Sequence, residues 1–274
     1  MKRSKIIYGI LALSIVVFLS IFIFLFVRAK KFKEFTGRKS VFEGPIDNNF
    51  SNFIVNAYNG SIIANTPDKF NKAVLDWQEV IPEAQSLLDN YDDILEEYTN
   101  ILKEYNNIPS FGELDNHQDK LSDHDKKDWK TFVFKYHGEY NEKNCQLCPK
   151  TSKLLKDLPI ELAMFSIMEE GKELYPHRGP SKHILRLHLG LDIPLGAKIT
   201  VDGKDYFWKE KEFFLFDDTY LHSVKNTNRI RGVLFIDLDR KHIPSRYIKI
   251  ANLFGKSYFN NVNKQIEKEA TKIK

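Results

Sequence analysis

The chain has 274 residues, of which 42% are hydrophobic, a formal net charge of +4 and two cysteines. This length allows one sizeable folded domain besides a short anchor. The mild charge, without a basic helix interleaved with stacking aromatics, predicts no nucleic-acid partner, and two cysteines are too few for a disulfide scaffold.

The chain begins with an uncharged apolar run over residues 6–27. At about 1.5 Å per residue this run can cross a hydrocarbon core of about 30 Å, and it exceeds the apolar region of a cleaved signal peptide. Three basic residues precede the run and six follow it within residues 28–39. This bias predicts a single-pass membrane protein with its anchor at residues 1–28 and its body on the cytoplasmic side.

Residues 29–128 are predicted to form a connector and a helical region. The apolar residues of 42–67 follow neither a helical nor a strand period, and we interpret this stretch as a connector. Four apolar residues then recur at helical spacing: Phe70, Val74, Trp77 and Ile81. A longer helix is predicted over residues 83–105, and the polar stretch 112–127, with His117 and His124, is predicted to be a loop with solvated histidines.

Residues 129–240 change character to short apolar strands separated by turn signals such as Asp202-Gly203. Strands are predicted at 129–136, 163–168, 183–191, 198–201, 206–208, 213–216 and 232–238, with a short helix at 150–156. Many short strands with tight turns favour a sandwich or a barrel. Residues 241–274 form a basic tail, in which 246–254 predicts an amphipathic helix and the end from 263 is expected to fray.

One predicted strand carries polar residues on a single face. Arg186 and His188 alternate with leucines between residues 184 and 191, so the two polar side chains share one side of the strand. Burying them is costly unless they bind an anionic ligand or a metal, or hydrogen-bond to each other in the core.

A second stretch, Phe213-Phe-Leu-Phe-Asp-Asp-Thr-Tyr-Leu-His222, ends an aromatic strand in two carboxylates and a histidine. Imidazoles from separate strands suit transition metals, and open positions around such a centre favour non-haem Fe(II). Arg231 follows at the start of the last strand. Its planar guanidinium is suited to bind a carboxylate through two hydrogen bonds.

Several motifs together resemble the aspartyl/asparaginyl β-hydroxylase family of Fe(II)/2-oxoglutarate dioxygenases. They are His177-Arg-Gly-Pro, Leu185-Arg-Leu-His-Leu-Gly-Leu191, Phe216-Asp-Asp-Thr, His222 and Arg231. A weaker similarity over nearly the whole chain is to the membrane-anchored lipid A acyl-chain hydroxylases. It rests on the N-terminal apolar run, Cys148-Pro-Lys-Thr, Val201-Asp-Gly-Lys and the basic tail.

The resemblance implies an all-β core with flanking helices, namely a double-stranded β-helix (a jelly roll of the cupin kind) with a metal at its open end. It implies Fe(II) held by His177 and His222. It also implies 2-oxoglutarate, whose distal carboxylate would contact Ser166 and Arg231 and whose chelating end would lie near His188.

Three positions keep alternatives open under this resemblance. Arg186 would hold either the cosubstrate or a substrate carboxylate, and Arg229 competes with Arg231 for the clamp. A third iron ligand normally stands two residues after the first histidine, where this chain has Gly179. In lacking a carboxylate at this position the chain resembles the aspartyl hydroxylases and departs from the lipid A branch. The missing ligand leaves room for water, or for Asp217 or Asp218 acting from behind the ligands.

The implied activity is O2-dependent hydroxylation of an unactivated C–H bond, with a membrane lipid or a membrane-proximal molecule as substrate. A lipid A-type acyl chain fits the anchor, whereas Asp or Asn side chains of a protein fit Gly179. A non-catalytic metal-binding jelly roll is the third hypothesis. No feature of the sequence indicates an oligomeric state.

Overall fold

The computed structural model of the chain describes residues 2–36, 49–104, 108–114 and 128–270. His117 and His124, and most of the loop predicted around them, lie outside these residues. The described part of that predicted loop, residues 112–114, belongs to a short helix instead.

Two long helices precede the folded domain. Helix α1 (Lys2–Thr36) contains Leu13–Phe32, a stretch long and apolar enough to cross a membrane. Helix α2 (Asn49–Asn65) packs beside it. The predicted connector over 42–67 is therefore wrong for most of its length. Its asparagines, which are weak helix formers, hid a helix whose Ala57, Ile62 and Ile63 are buried.

Short segments follow, most of them helical. They are a 3-10 turn at Asp68–Phe70, β1 (Val74–Leu75), α3 (Trp77–Val80), a 3-10 turn at Pro82–Ala84, α4 (Gln85–Asp89), α5 (Tyr91–Glu104) and α6 (Phe111–Leu114). The helix predicted over 83–105 is confirmed, although a break at Asn90 divides it. The helical spacing over residues 70–81 is misleading, because Val74 and Leu75 pair with Phe216 and Leu215 of a later strand.

Ten further strands and three helices lie in the described residues 128–270. They are β2 (Trp129–Tyr136), β3 (Glu139–Tyr140), α7 (Glu142–Leu147), α8 (Pro149–Lys156), β4 (Ile160–Met168), β5 (Glu173–His177), β6 (Ile184–Asp192), β7 (Lys198–Val201), β8 (Lys204–Phe207), β9 (Phe213–Phe216), β10 (His222–Lys225), β11 (Arg231–Asp239) and α9 (Arg246–Ala270). The strands predicted at 129–136, 198–201 and 213–216 have the observed bounds. Strands β5 and β10 were not predicted.

The strands form two antiparallel sheets, one with the order β1-β9-β6-β11-β4-β2-β3 and one with the order β5-β10-β7-β8. Non-consecutive strands are neighbours in both sheets, as in a jelly roll. The predicted double-stranded β-helix with flanking helices and an N-terminal apolar helix is confirmed.

The larger sheet is buried on both faces because two cores use alternate residues of its strands. In β11, Leu234 and Ile236 pack on one side against residues of α4 and α5. Val233 and Phe235 point to the other side, where they join residues of the smaller sheet such as Val224. Polar side chains on this second face are therefore enclosed between the two sheets.

Helix α9 is longer than predicted. It continues to Ala270, and its Val262 and Ile266 pack one helical turn apart into the core between the sheets. The fraying predicted from residue 263 is wrong as far as 270, because burial of these apolar residues holds the helix on the domain.

Candidate active site

Two histidines meet on neighbouring strands of the smaller sheet. His177 ends β5 and His222 begins β10, and the two residues are direct partners across this antiparallel pair. Their ring centroids are 4.1 Å apart. The pairing brings together residues 45 positions apart in the sequence, which local patterns could not show.

A β-bulge gives His177 its orientation. Leu174 pairs with Val224, whereas His177 pairs with His222, so β5 uses three residues where β10 uses two. In a regular strand Leu174 and His177 would face opposite sides. The extra residue brings both to the same side, and both line the cavity between the sheets. Bulges of this kind re-aim side chains next to active sites.

Both imidazoles are oriented by a backbone carbonyl two residues earlier. His177 Nδ1 lies 2.7 Å from the carbonyl oxygen of Tyr175, and His222 Nδ1 lies 3.0 Å from that of Tyr220. A carbonyl only accepts, so each Nδ1 carries the proton and each Nε2 keeps its lone pair. Burial lowers the pKa of His177 to about 4 and holds the pKa of His222 well below its usual range. Both rings are neutral at pH 7, the form that binds metals, and a carbonyl on the second ring nitrogen is typical of metal-binding histidines.

A guanidinium without an anionic partner lies in the same cavity. Arg231, the first residue of β11, is 1% exposed, and no carboxylate in the described part of the chain pairs with it. Its nearest contacts are Met168 Sδ at 2.8 Å, Ser166 Oγ at 3.5 Å and the face of Trp208 at 4.7 Å. Burial lowers its pKa to about 10, which leaves it charged at pH 7. A buried, unpaired cation is costly unless an anion binds it.

His188 contributes a second unused donor. The Trp208 indole N–H donates to His188 Nδ1 over 3.3 Å, and burial holds the pKa of His188 well below its usual range. The single proton of this neutral ring must therefore sit on Nε2, which has no hydrogen-bond partner among the described residues. Arg231 and His188 together suit an anionic ligand.

These side chains line one cavity between the two sheets. The larger sheet contributes Trp129, Ser166, Met168, Arg186, His188, Phe216, Arg231 and Phe235, and the smaller sheet contributes Leu174, His177, Ile199, His222 and Val224. The structure thus brings together six of the eight predicted site residues. Asp217 and Asp218 are not among the lining residues.

Arg186 already has an anionic partner. Its guanidinium binds Asp237 in a two-pronged ion pair, with Nε to Oδ1 at 2.8 Å and NH2 to Oδ2 at 3.0 Å. The same NH2 lies 3.1 Å from Oδ2 of Asp218. Neither Asp218 oxygen accepts a well-directed hydrogen bond from a described residue. Burial, against the opposing charge of Arg186, raises the pKa of Asp218 to about 7.

Gly179 does not leave an open space. A Cβ built at this position would collide with the carboxylate of Asp218, whose backbone carbonyl also accepts a 2.7 Å hydrogen bond from the Gly179 N–H. The room expected beside the missing ligand is therefore filled by Asp218.

Asp217 belongs to a different environment. Its carboxylate forms ion pairs with Lys182 and Arg240, all three with fully buried side chains. Its other oxygen accepts hydrogen bonds from the N–H and hydroxyl of Thr219. Burial would raise the pKa of Asp217, but the two cations outweigh it and lower the pKa to about 2. This arrangement fixes the loop between β9 and β10.

The competing arginine, Arg229, is on the surface. Its side chain is 49% exposed and forms ion pairs with Asp192 and Glu210. The geometry therefore favours Arg231 as the anion clamp.

Sequence reasoning missed three residues that support the site. Trp129 donates its indole N–H to Ser166 Oγ at 2.9 Å, Trp208 contacts both His188 and Arg231, and Asp237 holds Arg186. One signal for Asp237 was available, since a lone acid in the apolar run 232–238 sits on the same strand face as Arg231.

The donor set fits an iron ion and a keto acid. Two neutral imidazoles offer free Nε2 atoms, and an unpaired guanidinium and a free imidazole N–H offer an anion site in the same cavity. Within the described ranges, no group of three or more His, Cys, Asp or Glu side chains is arranged to hold a metal ion. In this part of the chain the protein offers two ligands, His177 and His222.

Relatives share parts of this chain. An ornithine lipid ester-linked acyl 2-hydroxylase of Rhizobium tropici is 37% identical over 150 residues, covering 53% of each chain. The human aspartyl/asparaginyl beta-hydroxylase is 34% identical over 122 residues, which are 42% of this chain and 16% of that protein. The match thus spans about half of the bacterial relative and a smaller part of the human one.

Several solved structures resemble the strands of this chain at low similarity, among them a cupin domain protein and KdgF. The Cupin 2 conserved barrel protein of Salinispora arenicola CNS-205 is 11% identical with a TM-score of 0.29, over 44% of this chain and 83% of that one. KdgF from Halomonas sp. is 11% identical with a TM-score of 0.28, over 44% and 94%. At such scores the jelly-roll assignment rests on the strand order itself.

The sequence model described as aspartyl/asparaginyl beta-hydroxylase matches residues 88–241, more than half of the 274-residue chain. The matched range contains both histidines and every other residue that lines the cavity. The chain belongs to the aspartyl/asparaginyl beta-hydroxylase family.

Proposed function

We propose that this chain is a membrane-anchored hydroxylase that uses Fe(II) and 2-oxoglutarate to hydroxylate the acyl chain of a membrane lipid, of the lipid A or ornithine lipid type. One observation carries the proposal: a single cavity holds two neutral imidazoles with free Nε2 atoms and a guanidinium that no carboxylate among the described residues pairs with.

His177 and His222 would hold the iron through Nε2. The Tyr175 and Tyr220 carbonyls fix both rings, so little conformational freedom is lost when a metal binds. When bound, Fe(II) and 2-oxoglutarate supply the oxidising chemistry, in which O2 hydroxylates a C–H bond and the keto acid becomes succinate and CO2.

Arg231 and Ser166 would hold the distal carboxylate of 2-oxoglutarate. Trp129 occupies one lone pair of the Ser166 hydroxyl, which leaves its proton free to donate. Trp208 and Met168 keep the guanidinium fixed. A charge-assisted contact of this kind is worth about 1.5–3 kcal/mol. The free Nε2–H of His188 would donate to another oxygen of the same ligand.

Asp218 and Asp217 would have different roles. Asp218 fills the space of a side chain at position 179 without lining the cavity, so we assign it a positioning role behind the iron ligands. Arg186, itself held by Asp237, positions that carboxylate. Asp217 does not line the cavity, and we assign it a positioning role for the loop that carries Asp218 and His222.

The lipid substrate is supported by the apolar stretch Leu13–Phe32 and by the similarity to the R. tropici acyl hydroxylase. The distribution of basic residues would place the domain on the cytoplasmic side. The alternative substrate, an Asp or Asn side chain of a protein, is favoured by Gly179 and by the similarity to the human enzyme. A non-catalytic jelly roll would have no use for Arg231.

The substrate is tested with membranes from cells with and without this protein. They are incubated with Fe(II), 2-oxoglutarate and O2. Mass spectrometry of the lipids and of the peptides then detects a gain of one oxygen. The proposal expects the gain in a lipid acyl chain. A gain confined to Asp or Asn residues supports the alternative, and no gain with no succinate contradicts both.

A further inference from the structure

The two N-terminal helices run in the same direction. Phe22 of α1 stacks on Phe53 of α2 with ring centroids 5.9 Å apart. Further along, Gly60 of α2 meets the backbone of Arg28, and Phe32 packs on Ile63. Residue numbers rise together along both helices, so α2 lies parallel to α1 and begins beside its apolar part.

This geometry sets the depth of α2 relative to the apolar run. The run ends at Val27, so Phe22 lies five residues, or about 7.5 Å, inside it. Phe53 shares that depth. Its neighbour Ile54 is 36% exposed, as expected of an apolar side chain that faces lipid.

The close helix crossing at Gly60 fixes this depth. A Cβ at position 60 would collide with the carbonyl of Arg28, so only glycine allows the two backbones to approach here. Small residues at such crossings are typical of helix pairs within membranes.

Asn59 connects the crossing to the active site. This residue is fully buried, its amide donates to the Pro180 carbonyl at 3.0 Å, and its side-chain oxygen accepts from the Lys182 N–H at 2.9 Å. Pro180 lies three residues after His177. The segment that leaves the iron site is thus held at the level of Arg28, where the apolar run gives way to basic residues.

We propose that the first turns of α2 share the membrane leaflet with α1, and that Asn59 thereby holds the segment after His177 at the height of the lipid headgroups. The inference rests on the membrane anchor of the proposed function. It places His177, three residues before Pro180, nearer to the headgroup end of a lipid that stays in the bilayer than to the end of its acyl chain.

Depth is measured on the full chain in vesicles, with one cysteine at a time labelled by an environment-sensitive fluorophore. Lipid-borne and water-soluble quenchers are compared at Ile54→Cys and Pro180→Cys. Leu13→Cys serves as the reference within the anchor and Lys209→Cys as the reference in water. The native Cys145 and Cys148 are buried and free, so they are replaced by Ser or Ala only if they react.

The expected result is stronger quenching from the lipid side at Ile54, as at Leu13, and an intermediate ratio at Pro180. If Leu13 is shielded but Ile54 behaves like Lys209, the inference is wrong while the anchor stands. If Leu13 itself is quenched from water, the anchor of the proposed function is wrong as well.

A second comparison tests Asn59. In the Pro180→Cys chain carrying the label, Asn59→Leu should increase quenching by the water-soluble quencher relative to the lipid-borne one, because the two hydrogen bonds are lost. Asn65→Leu, which removes an amide from the other end of α2, is the matched control and should leave the ratio unchanged. An unchanged ratio in Asn59→Leu would show that Asn59 does not set the height of the segment.

Discussion

At the scale of single residues, the iron assignment depends on two imidazoles whose other contacts are local. His177→Ala and His222→Ala should each lower succinate formation by more than about 100-fold, since even residues that only orient a ligand cost about 10–100-fold. The fold should survive, because each ring donates only to a carbonyl two residues away. A succinate assay checks the loss of activity, calorimetric Fe(II) titration checks the loss of iron binding, and circular dichroism checks the fold.

The matched control is His242→Ala. His242 stacks on Phe70 with centroids 3.8 Å apart, outside the residues that line the cavity. Full turnover in both site variants, or equal loss in the control, would contradict the assignment.

The carboxylate clamp also belongs to a single residue. Arg231→Lys should weaken 2-oxoglutarate binding about tenfold to a hundredfold, because a point charge replaces a planar fork and one charge-assisted contact is worth about 1.5–3 kcal/mol. Arg229→Lys should change it little, since that side chain is half-exposed and paired with Asp192. Apparent 2-oxoglutarate affinity measures the difference, and the reverse ranking would assign the clamp to Arg229.

At the scale of elements, the turn after β5 and the loop after β9 interlock at Gly179. Gly179→Ala should destabilise the fold by about 1–3 kcal/mol, because a Cβ there collides with the Asp218 carboxylate. The cost should shrink in an Asp218→Ala background. Denaturant unfolding of all four members of this double-mutant cycle measures the coupling, and equal costs in both backgrounds would show that the collision is not the cause. For the same reason, Gly179→Asp would meet Asp218 rather than an open iron position.

At the scale of the whole molecule, the Asp217 cluster joins distant parts of the chain. Arg240 follows β11 and donates to the Lys182 and Phe70 carbonyls as well as to Asp217. Asp217→Asn removes the carboxylate that pairs with two buried cations and should cost about 3–5 kcal/mol. The pKa of Asp217 is lowered from 3.8 to about 2 in the fold, so its stabilisation is present above pH 4 and is lost as pH falls towards 2.

Equilibrium unfolding of the wild type and Asp217→Asn over this pH range tests the cluster. The difference in unfolding free energy should narrow as pH falls below about 4. A difference independent of pH would mean that the charge of Asp217 contributes nothing.

Sequence alone predicted the strands whose apolar residues mark them, such as β2, β7 and β9, and six of the residues that line the cavity were predicted as site residues. It did not predict β5 and β10, the strands that carry the two histidines. Their sequences, Glu173-Leu-Tyr-Pro-His and His222-Ser-Val-Lys, are short and polar. They become strands only by pairing with each other across a bulge, which is a long-range contact.

The N-terminal region shows a second limit of local patterns. Helix α2 was interpreted as a connector because its buried asparagines obscure the apolar period. The amide of Asn59 can be buried because Pro180 and Lys182, more than 120 positions away, form hydrogen bonds with it. The role of Asp218 beside Gly179 was open for the same reason, since nothing in the sequence shows that its carboxylate fills that space.

The central claim, a 2-oxoglutarate-dependent hydroxylase with iron at His177 and His222, is tested most directly by following the oxygen atom. The full chain in lipid vesicles is supplied with Fe(II), 2-oxoglutarate and heavy-isotope O2, and lipids and succinate are analysed by mass spectrometry. We predict one heavy oxygen in the lipid product for each succinate formed, and neither product with His177→Ala. Lipid oxygen drawn from water, or product formed without 2-oxoglutarate, would contradict the claim.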